Sequence, residues 1–154
     1  MKMISLFLLL AFSFVQDSVT KDYLLGKFEP STHSQFVKLT SAHAKGSALN
    51  GFLRKETLEA FIRMSEAARK EGLSLYIISA TRNFDLQKKI WENKWIGKTP
   101  VEGKNLTTIS DLKERARLIM LYSSMPGTSR HHWGTDVDLN SLDNRYFEGG
   151  EGLK

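Results

Sequence analysis

The chain has 154 residues, of which 41% are hydrophobic and 25% charged, a composition typical of one globular domain with a buried core of its own. Its formal net charge of +5 is modest and spread along the chain, so it does not indicate a nucleic-acid-binding protein. The absence of cysteine excludes disulfide bonds, a catalytic thiolate, cysteine-ligated zinc and a lipid-modified N-terminal cysteine.

The N-terminus has the pattern of a secretory signal peptide. Lys2 precedes an apolar run over residues 3–15, which is too short for a comfortable membrane span. We predict a signal peptide over residues 1–16, with an uncleaved anchor as the alternative, because Ala11 and Ser13 do not form a clean cleavage pattern. Both alternatives predict an exported domain, in the periplasm or cell envelope, and signal cleavage would leave no stable membrane span.

The next part of the chain predicts loops, then a helix, then a strand. Residues 22–51 have little periodicity and several glycines, which is typical of a loop-rich segment. Residues 55–71 predict an amphipathic helix that ends before Gly72. Residues 73–78 are apolar and partly β-branched, which predicts a buried strand. The helix side chains expected to face inward are Leu58, Phe61, Ile62, Ser65 and Ala68.

Two more helices are predicted in the second half of the chain. The first covers residues 85–95, and a loop over residues 96–108 follows it. The second runs from about Asp111 to Tyr122, with Ser110 as a candidate N-cap. The side chains expected to face inward are Leu86, Ile90 and Trp91 in the first helix and Leu112, Ala116, Ile119 and Met120 in the second.

The stretch after Met125-Pro126-Gly127 contains the closest grouping of candidate metal-binding side chains in the sequence. From Gly134 to Leu139 polar and apolar side chains alternate, which predicts a strand with Asp136 and Asp138 on one face. His131 lies just upstream, where the chain turns into this strand. An imidazole and a carboxylate seven residues apart can converge on one ion, and both are normal zinc ligands. We interpret His131 and Asp138 as half of a zinc site. The side chains expected to pack on the opposite face are Val137 and Leu139.

Two ordered motifs carry a family resemblance. One is SxHxxGxxxD, formed by Ser129, His131, Gly134 and Asp138; the other is SxxRxxxxQ, which spans residues 79–87. Together they resemble the signatures of the zinc D-alanyl-D-alanine carboxypeptidases, the VanY-like branch of the M15 peptidases. This resemblance implies a hydrolase, a metallopeptidase that removes the terminal D-alanine from peptidoglycan stem peptides ending in D-Ala-D-Ala.

The resemblance also implies a domain and a fold. It covers the chain from about Leu24 onward, and we predict a peptidase domain over residues 22–154. The implied fold is α+β, a small, mainly antiparallel sheet with helices packed on it and the zinc site at the sheet edge.

Roles for single residues follow from the same resemblance. It implies that His131 and Asp138 hold the zinc ion, and that Arg82 anchors the substrate or its developing oxyanion. Guanidinium binds carboxylates with a two-pronged geometry that lysine cannot copy. Gln87 would support Arg82 by hydrogen bonding, and Ser129 would hydrogen-bond the substrate. The simpler interpretations are a surface salt bridge for Arg82 and a turn cap for Ser129.

One part of the family pattern is missing from this sequence. The resemblance implies a third ligand, a histidine, and a glutamate general base in a Glu-x-x-His motif nearer the C-terminus. No histidine follows Asp138, and Glu148 and Glu151 lie in a glycine-rich tail without that motif. We therefore expect a chain that lacks the C-terminal part of the domain, binds zinc weakly and hydrolyses little.

Other metal-binding interpretations are weaker. His132 adjoins His131, but neighbouring side chains on an extended segment point apart. His33 and His43 are isolated histidines in polar loops. Asp136 could orient a ligand from outside the metal's own ligand set, or it could be a solvated acid. Residues 136–147 imitate an EF-hand loop but lack its glycine and final glutamate, so calcium is not predicted.

Two alternative functions stay open. One is a serine D,D-peptidase using Ser110 and Lys113, which match the short pattern SxxK. The other is a non-catalytic cell-wall-binding remnant of the peptidase.

Overall fold

The computed structural model describes residues 19–141. The predicted signal peptide, residues 1–16, lies outside this range, as does the tail with Glu148 and Glu151. Within the described range, no helix has the length and apolar character that a membrane crossing requires.

The described chain forms four α-helices and four short strands. The α-helices are α1 (Lys21–Leu24), α2 (Lys55–Lys70), α3 (Phe84–Trp95) and α4 (Leu112–Met120). The strands are β1 (Phe36–Lys38), β2 (Phe52–Arg54), β3 (Leu75–Ser79) and β4 (Asp138–Ser141). Single 3-10 turns lie at Pro30–Thr32, Gly46–Ala48, Leu106–Thr108 and Arg130–Trp133. The predicted α+β class is confirmed.

The strands form two separate antiparallel pairs rather than one sheet. β1 pairs with β2, and β3 pairs with β4. In the second pair Leu75 lies opposite Ser141 and Ser79 lies opposite Asp138, with an irregularity between Ile77 and Ser79. This pairing brings the end of β3, where the SxxRxxxxQ motif begins, next to the last residue of the SxHxxGxxxD motif.

The first predicted helix and strand are confirmed. Leu58 and Phe61 of α2 are buried in the main core, and Gly72 follows the helix with a φ of +79°. Val137 and Leu139 pack against the same core, as their alternation predicts. The buried members of this core are Leu39, Ala44, Ala48, Leu53, Leu58, Phe61, Ile77 and Ala80.

The predicted inward face of α3 is wrong in one residue. Leu86 is 45% exposed, whereas its neighbour Gln87 is completely buried. The Gln87 side-chain amide donates a hydrogen bond to the carbonyl oxygen of Ser124 at 2.7 Å, which turns this side of the helix toward the protein. Successive residues of an α-helix point about 100° apart, so Leu86 faces away.

The inward face of α4 is also only partly as predicted. Ile119 is fully buried in a second core with Val101 and Leu106, but Leu112 and Met120 are 58% and 49% exposed. The nine-residue helix contacts the second core through Ile119 and its neighbour Leu118, and this orientation leaves Leu112 and Met120 exposed. The N-cap is Asp111 rather than Ser110, because the Asp111 carboxylate accepts hydrogen bonds from two backbone N–H groups of the first turn.

The strand predicted from Gly134 begins only at Asp138. Gly134 ends the Arg130–Trp133 turn with a φ of +70°, and a Cβ at this position would lie 2.4 Å from the ring of Phe36. The chain needs this left-handed glycine to pass under the ring, so extended pairing starts four residues later.

Candidate functional site

His131 is held in one orientation by the backbone directly after β3. Its ring is buried, and its Nδ1 lies 3.0 Å from the carbonyl oxygen of Ala80. A carbonyl oxygen only accepts hydrogen bonds, so Nδ1 carries the proton and Nε2 has a free lone pair in the neutral ring. This is how proteins commonly orient an imidazole that binds metal through its other nitrogen.

Two carboxylates lie in front of that Nε2 atom. It is 3.6 Å from Oδ2 of Asp136 and 3.7 Å from Oδ2 of Asp138. Ligand atoms on one tetrahedral zinc ion are separated by about 3.3–3.6 Å, given bonds of about 2.0–2.2 Å. Each pair is therefore close to the spacing of two ligands on one ion.

The described residues do not form a complete metal site. Between residues 19 and 141, no group of three His, Cys, Asp or Glu side chains is arranged to hold a metal ion. His131 with one carboxylate is thus a partial ligand set, and its binding of zinc stays a prediction.

The electrostatics favour a neutral His131. Burial lowers the pKa of His131, and the nearby Arg82 guanidinium lowers it further, while Ala80, Asp138 and Asp136 act in the opposite direction. Neutral imidazole is the form that coordinates a metal ion.

Arg82 lies beside this pair and is tied to it through its backbone. Its N–H donates to the carbonyl of His131 at 3.2 Å, and its own carbonyl accepts from Nδ1 of His132 at 2.6 Å. Burial lowers the pKa of Arg82, whereas Asp138 and Asp136 oppose that shift. The buried Nε has no hydrogen-bond partner among the described residues. Burial of this atom and the two nearby carboxylates hold the guanidinium close to His131 and Asp138.

The structure places the two predicted supporting residues below the surface. Gln87 binds the carbonyl of Ser124, and its Oε1 is buried without a partner in the described part of the chain. Ser129 is 2% exposed and precedes the turn that carries His131. Support of Arg82 by Gln87 and substrate contact by Ser129 stay predictions.

His132 stabilises the turn and has no free nitrogen for a metal. Its ring is completely buried, its Nδ1 donates to the carbonyl of Arg82, and its Nε2 accepts from the N–H of Gly127 at 3.0 Å. Gly26 lies against the ring, where a Cβ would come within 2.5 Å. His132 thus joins the two motif segments, and its neighbour His131 is the histidine that faces the carboxylates.

We expect His132→Ala to lower the free energy of unfolding by about 2–4 kcal/mol, because it leaves a cavity and two unpaired backbone groups. Urea unfolding without added metal measures this loss. His43→Ala is the matched control, since His43 makes an edge contact with Phe61 at 6.5 Å, and we expect its cost to be under about 1 kcal/mol. An H132A protein as stable as the parent would contradict the structural role.

The remaining candidates from the sequence lie apart from this arrangement. His33 packs among the rings of Tyr23, Phe28 and Phe36. Ser110 and Lys113 are both exposed at the start of α4.

Sequence reasoning missed two residues near the site. Tyr23 of α1 donates to the carbonyl of Trp133 at 2.8 Å and so braces the turn. Lys94 of α3 is partly buried, and both burial and Arg82 lower its pKa. Lys94 follows Gln87 by seven residues, or about two helical turns, and this spacing could have predicted that the two side chains lie on the same side of α3.

Comparison with known proteins gives a family. A sequence model described as VanY, D-alanyl-D-alanine carboxypeptidase, matches residues 50–152. The Bacillus subtilis protein YodJ, whose name describes it as a candidate carboxypeptidase, is 29% identical over 129 residues, which are 83% of this chain and 41% of YodJ. An uncharacterized Haemophilus influenzae protein is 30% identical over 83 residues, 54% of this chain and 51% of that protein.

Solved structures agree with that result at the level of the fold. The LdcB LD-carboxypeptidase superposes with a TM-score of 0.54 and 26% identity, over 77% of this chain and 47% of LdcB. A mutant VanY D,D-pentapeptidase in complex with Zn(II) has a TM-score of 0.51 and 17% identity, over 69% of this chain and 57% of VanY. This chain spans about half the length of the relatives it matches. The family match covers well over half of the chain, and the chain therefore belongs to the VanY family of D-alanyl-D-alanine carboxypeptidases.

Proposed function

We propose that this protein is an exported, zinc-dependent D,D-carboxypeptidase that removes the terminal D-alanine from peptidoglycan stem peptides. The peptidase domain would cover residues 22–154, after a signal peptide over residues 1–16. One observation carries the proposal. The Nε2 atom of His131 is aimed at Asp138 while its Nδ1 is bound to Ala80, and Arg82 lies beside them.

The donor set fits zinc. A neutral imidazole nitrogen and a carboxylate oxygen are both normal zinc ligands, so His131 and Asp138 would hold the ion. Asp136 would stay outside the ligand set, because it also faces Arg130 at 3.5 Å and can orient the site through that ion pair. Zinc, when bound, supplies an activated water and polarises the scissile carbonyl.

The residues of the chain position the substrate around that ion. The Arg82 guanidinium would bring its positive charge to the negative charge of the peptide, either its carboxylate or the oxygen that becomes an oxyanion. Gln87 fixes the start of α3 through Ser124, and so holds the segment that begins directly after Arg82. Ser129 would meet the substrate from the turn that carries His131.

Two of the similar structures support this assignment by what they contain. One is a VanY protein with Zn(II), and the other is VanYB with D-alanine-D-alanine. LdcB is described as an LD-carboxypeptidase. A control substrate should therefore differ in the stereochemistry of the scissile bond.

The test measures D-alanine release from a stem pentapeptide ending in D-Ala-D-Ala by the zinc-supplemented chain. We expect slow release, because the described residues supply only part of a ligand set, and we expect that a chelator abolishes this release and that a β-lactam leaves it unchanged. The matched control substrate is the tetrapeptide with an L,D terminal bond, which should be cleaved at least about tenfold more slowly if the enzyme is D,D-specific.

Other outcomes point to the alternatives. Release that is inhibited by β-lactam and resistant to chelator would favour the serine peptidase that uses Ser110 and Lys113. Peptide binding without turnover at any zinc concentration would favour the non-catalytic cell-wall-binding protein. Faster cleavage of the L,D bond would replace the D,D assignment.

A further inference from the structure

The short helix α1 is bound to the turn that carries His131 by two hydrogen bonds. The hydroxyl of Tyr23 donates to the carbonyl oxygen of Trp133 at 2.8 Å, and Nε1 of the Trp133 ring donates to the carbonyl oxygen of Leu24 at 3.1 Å. The two bonds run in opposite directions between the same two segments, so they fix how α1 lies on the turn. The family model matches residues 50–152, and α1 therefore adds this contact from outside the matched range.

Arg54 completes a closed set of contacts around the end of the turn. Its Nη1 donates to the Tyr23 hydroxyl at 3.0 Å, and its backbone N–H donates to the carbonyl oxygen of Gly134 at 3.2 Å. An ion pair with Glu56 holds the guanidinium in place. A hydroxyl has one proton, and because the Tyr23 oxygen accepts from Arg54, that proton is directed to Trp133. The consecutive carbonyls of Trp133 and Gly134 are thus both held from outside the turn.

The turn is weakly supported at its own C-terminal end. It is a 3-10 turn over Arg130–Trp133, and 3-10 hydrogen bonds have poorer geometry than those of an α-helix. The last of them, from the N–H of Gly134 to the carbonyl oxygen of His131, is 3.5 Å long. Ordinary N–H···O bonds measure about 2.7–3.2 Å. The contacts from α1 and Arg54 therefore determine how the chain leaves the turn.

The way the chain leaves the turn sets the geometry of the candidate metal pair. Asp138 is the first residue of β4, and its pairing with Ser79 lies at the irregular end of the ladder. The ladder holds Asp138 from one side, and the segment that begins at Gly134 holds it from the other. Nε2 of His131 lies 3.7 Å from Oδ2 of Asp138. Metal–ligand distances tolerate deviations of only about 0.2 Å, so a small displacement of this segment changes the fit to zinc.

We propose that Tyr23 is a positioning residue for the candidate metal pair. Its hydroxyl, oriented by Arg54, holds the Trp133 carbonyl and thereby sets the approach of Asp138 to His131. This inference rests on the proposed function, because the pair that Tyr23 positions is the one assigned to zinc.

The test measures the zinc affinity of Tyr23→Phe by competition with a chromophoric chelator. This substitution keeps the ring and removes the hydroxyl, and we expect zinc to bind about tenfold more weakly, as when a residue that orients a ligand is lost. Arg54→Met should weaken zinc binding about threefold, because the Tyr23 hydroxyl stays in place without its donor. The double variant should bind zinc as Tyr23→Phe does, since Arg54 acts through that hydroxyl. The matched control is Tyr122→Phe, which removes a hydroxyl bonded to Glu102 and should keep the affinity of the parent.

A second measurement separates positioning from stability and needs no metal. In the metal-free protein, the NMR signals of the His131 ring can be identified by their absence from His131→Ala. They should move in Tyr23→Phe and stay in place in Tyr122→Phe. A loss of stability alone would leave the His131 signals of the folded protein unchanged.

The outcomes separate this inference from the proposed function. A Tyr23→Phe protein with the zinc affinity and the His131 signals of the parent overturns the positioning role, whether or not D-alanine is released. A parent that binds no zinc, while Tyr23→Phe moves the His131 signals, upholds the positioning role and overturns the zinc enzyme. If Tyr23→Phe does not fold, Arg54→Met decides: the zinc affinity of the parent overturns the inference, and a threefold loss upholds it.

Discussion

Replacing His131 with alanine is expected to weaken zinc binding at least about 100-fold and thereby to abolish peptide hydrolysis. His131 presents an unprotonated nitrogen to Asp138, and the hydrogen bond from its other nitrogen to Ala80 fixes that orientation. Loss of a residue that only orients a ligand costs about 10–100-fold in metal affinity, so loss of the ligand itself should cost at least about 100-fold. Competition with a chromophoric chelator measures the change.

A second measurement separates metal binding from folding. A ligand that binds only the folded state raises the melting temperature, so zinc should raise that of the parent and leave that of His131→Ala unchanged. His43→Ala is the control, since His43 packs on Phe61 and should keep the full response to zinc. An H131A protein that still binds zinc as the parent does would remove the basis of the metal site.

Helix and strand positions could be predicted where apolar spacing was regular. The α2 helix and the β3 strand lie within a residue or two of their predictions because one face of each packs into the main core. The start of β4 was wrong because a left-handed glycine at Gly134, required by the nearby Phe36 ring, is not visible in an alternating pattern. The exposed Leu86 has a similar cause, because buried hydrogen bonding by Gln87 decided which side of α3 faces inward.

The motifs predicted which residues come together, but not how they are held. His131, Asp138 and Arg82 were named from two patterns about fifty residues apart, and the β3–β4 pairing and the backbone contacts of Arg82 bring them to one place. The different roles of His131 and His132 follow from what faces each Nε2 atom, which is two carboxylates for His131 and the N–H of Gly127 for His132. The SxHxxGxxxD pattern selected His131, but the Ala80 and Arg82 carbonyls that orient the two rings come from a distant segment and are not visible in that pattern.

Arg82→Lys is expected to lower kcat about 100-fold while changing KM much less. Lysine keeps one positive charge near Asp138 and Asp136 but loses the planar, two-pronged fork of the guanidinium. Removal of one donor to a developing oxyanion typically costs about 10²–10³-fold in turnover. Steady-state rates of D-alanine release from the stem pentapeptide measure both constants.

Whether Arg82→Lys changes kcat or KM distinguishes two roles of Arg82, which are interaction with the scissile carbonyl and binding of the terminal carboxylate. If Arg82 held the terminal carboxylate, its loss would weaken binding of the peptide acid and raise KM. If it acts on the scissile carbonyl, binding persists and turnover falls, because the interaction strengthens as charge develops on that oxygen. Arg69→Lys on the exposed side of α2 is the matched control and should leave both constants unchanged. An R82K protein with the kcat of the parent and a raised KM would move Arg82 from the carbonyl to the carboxylate.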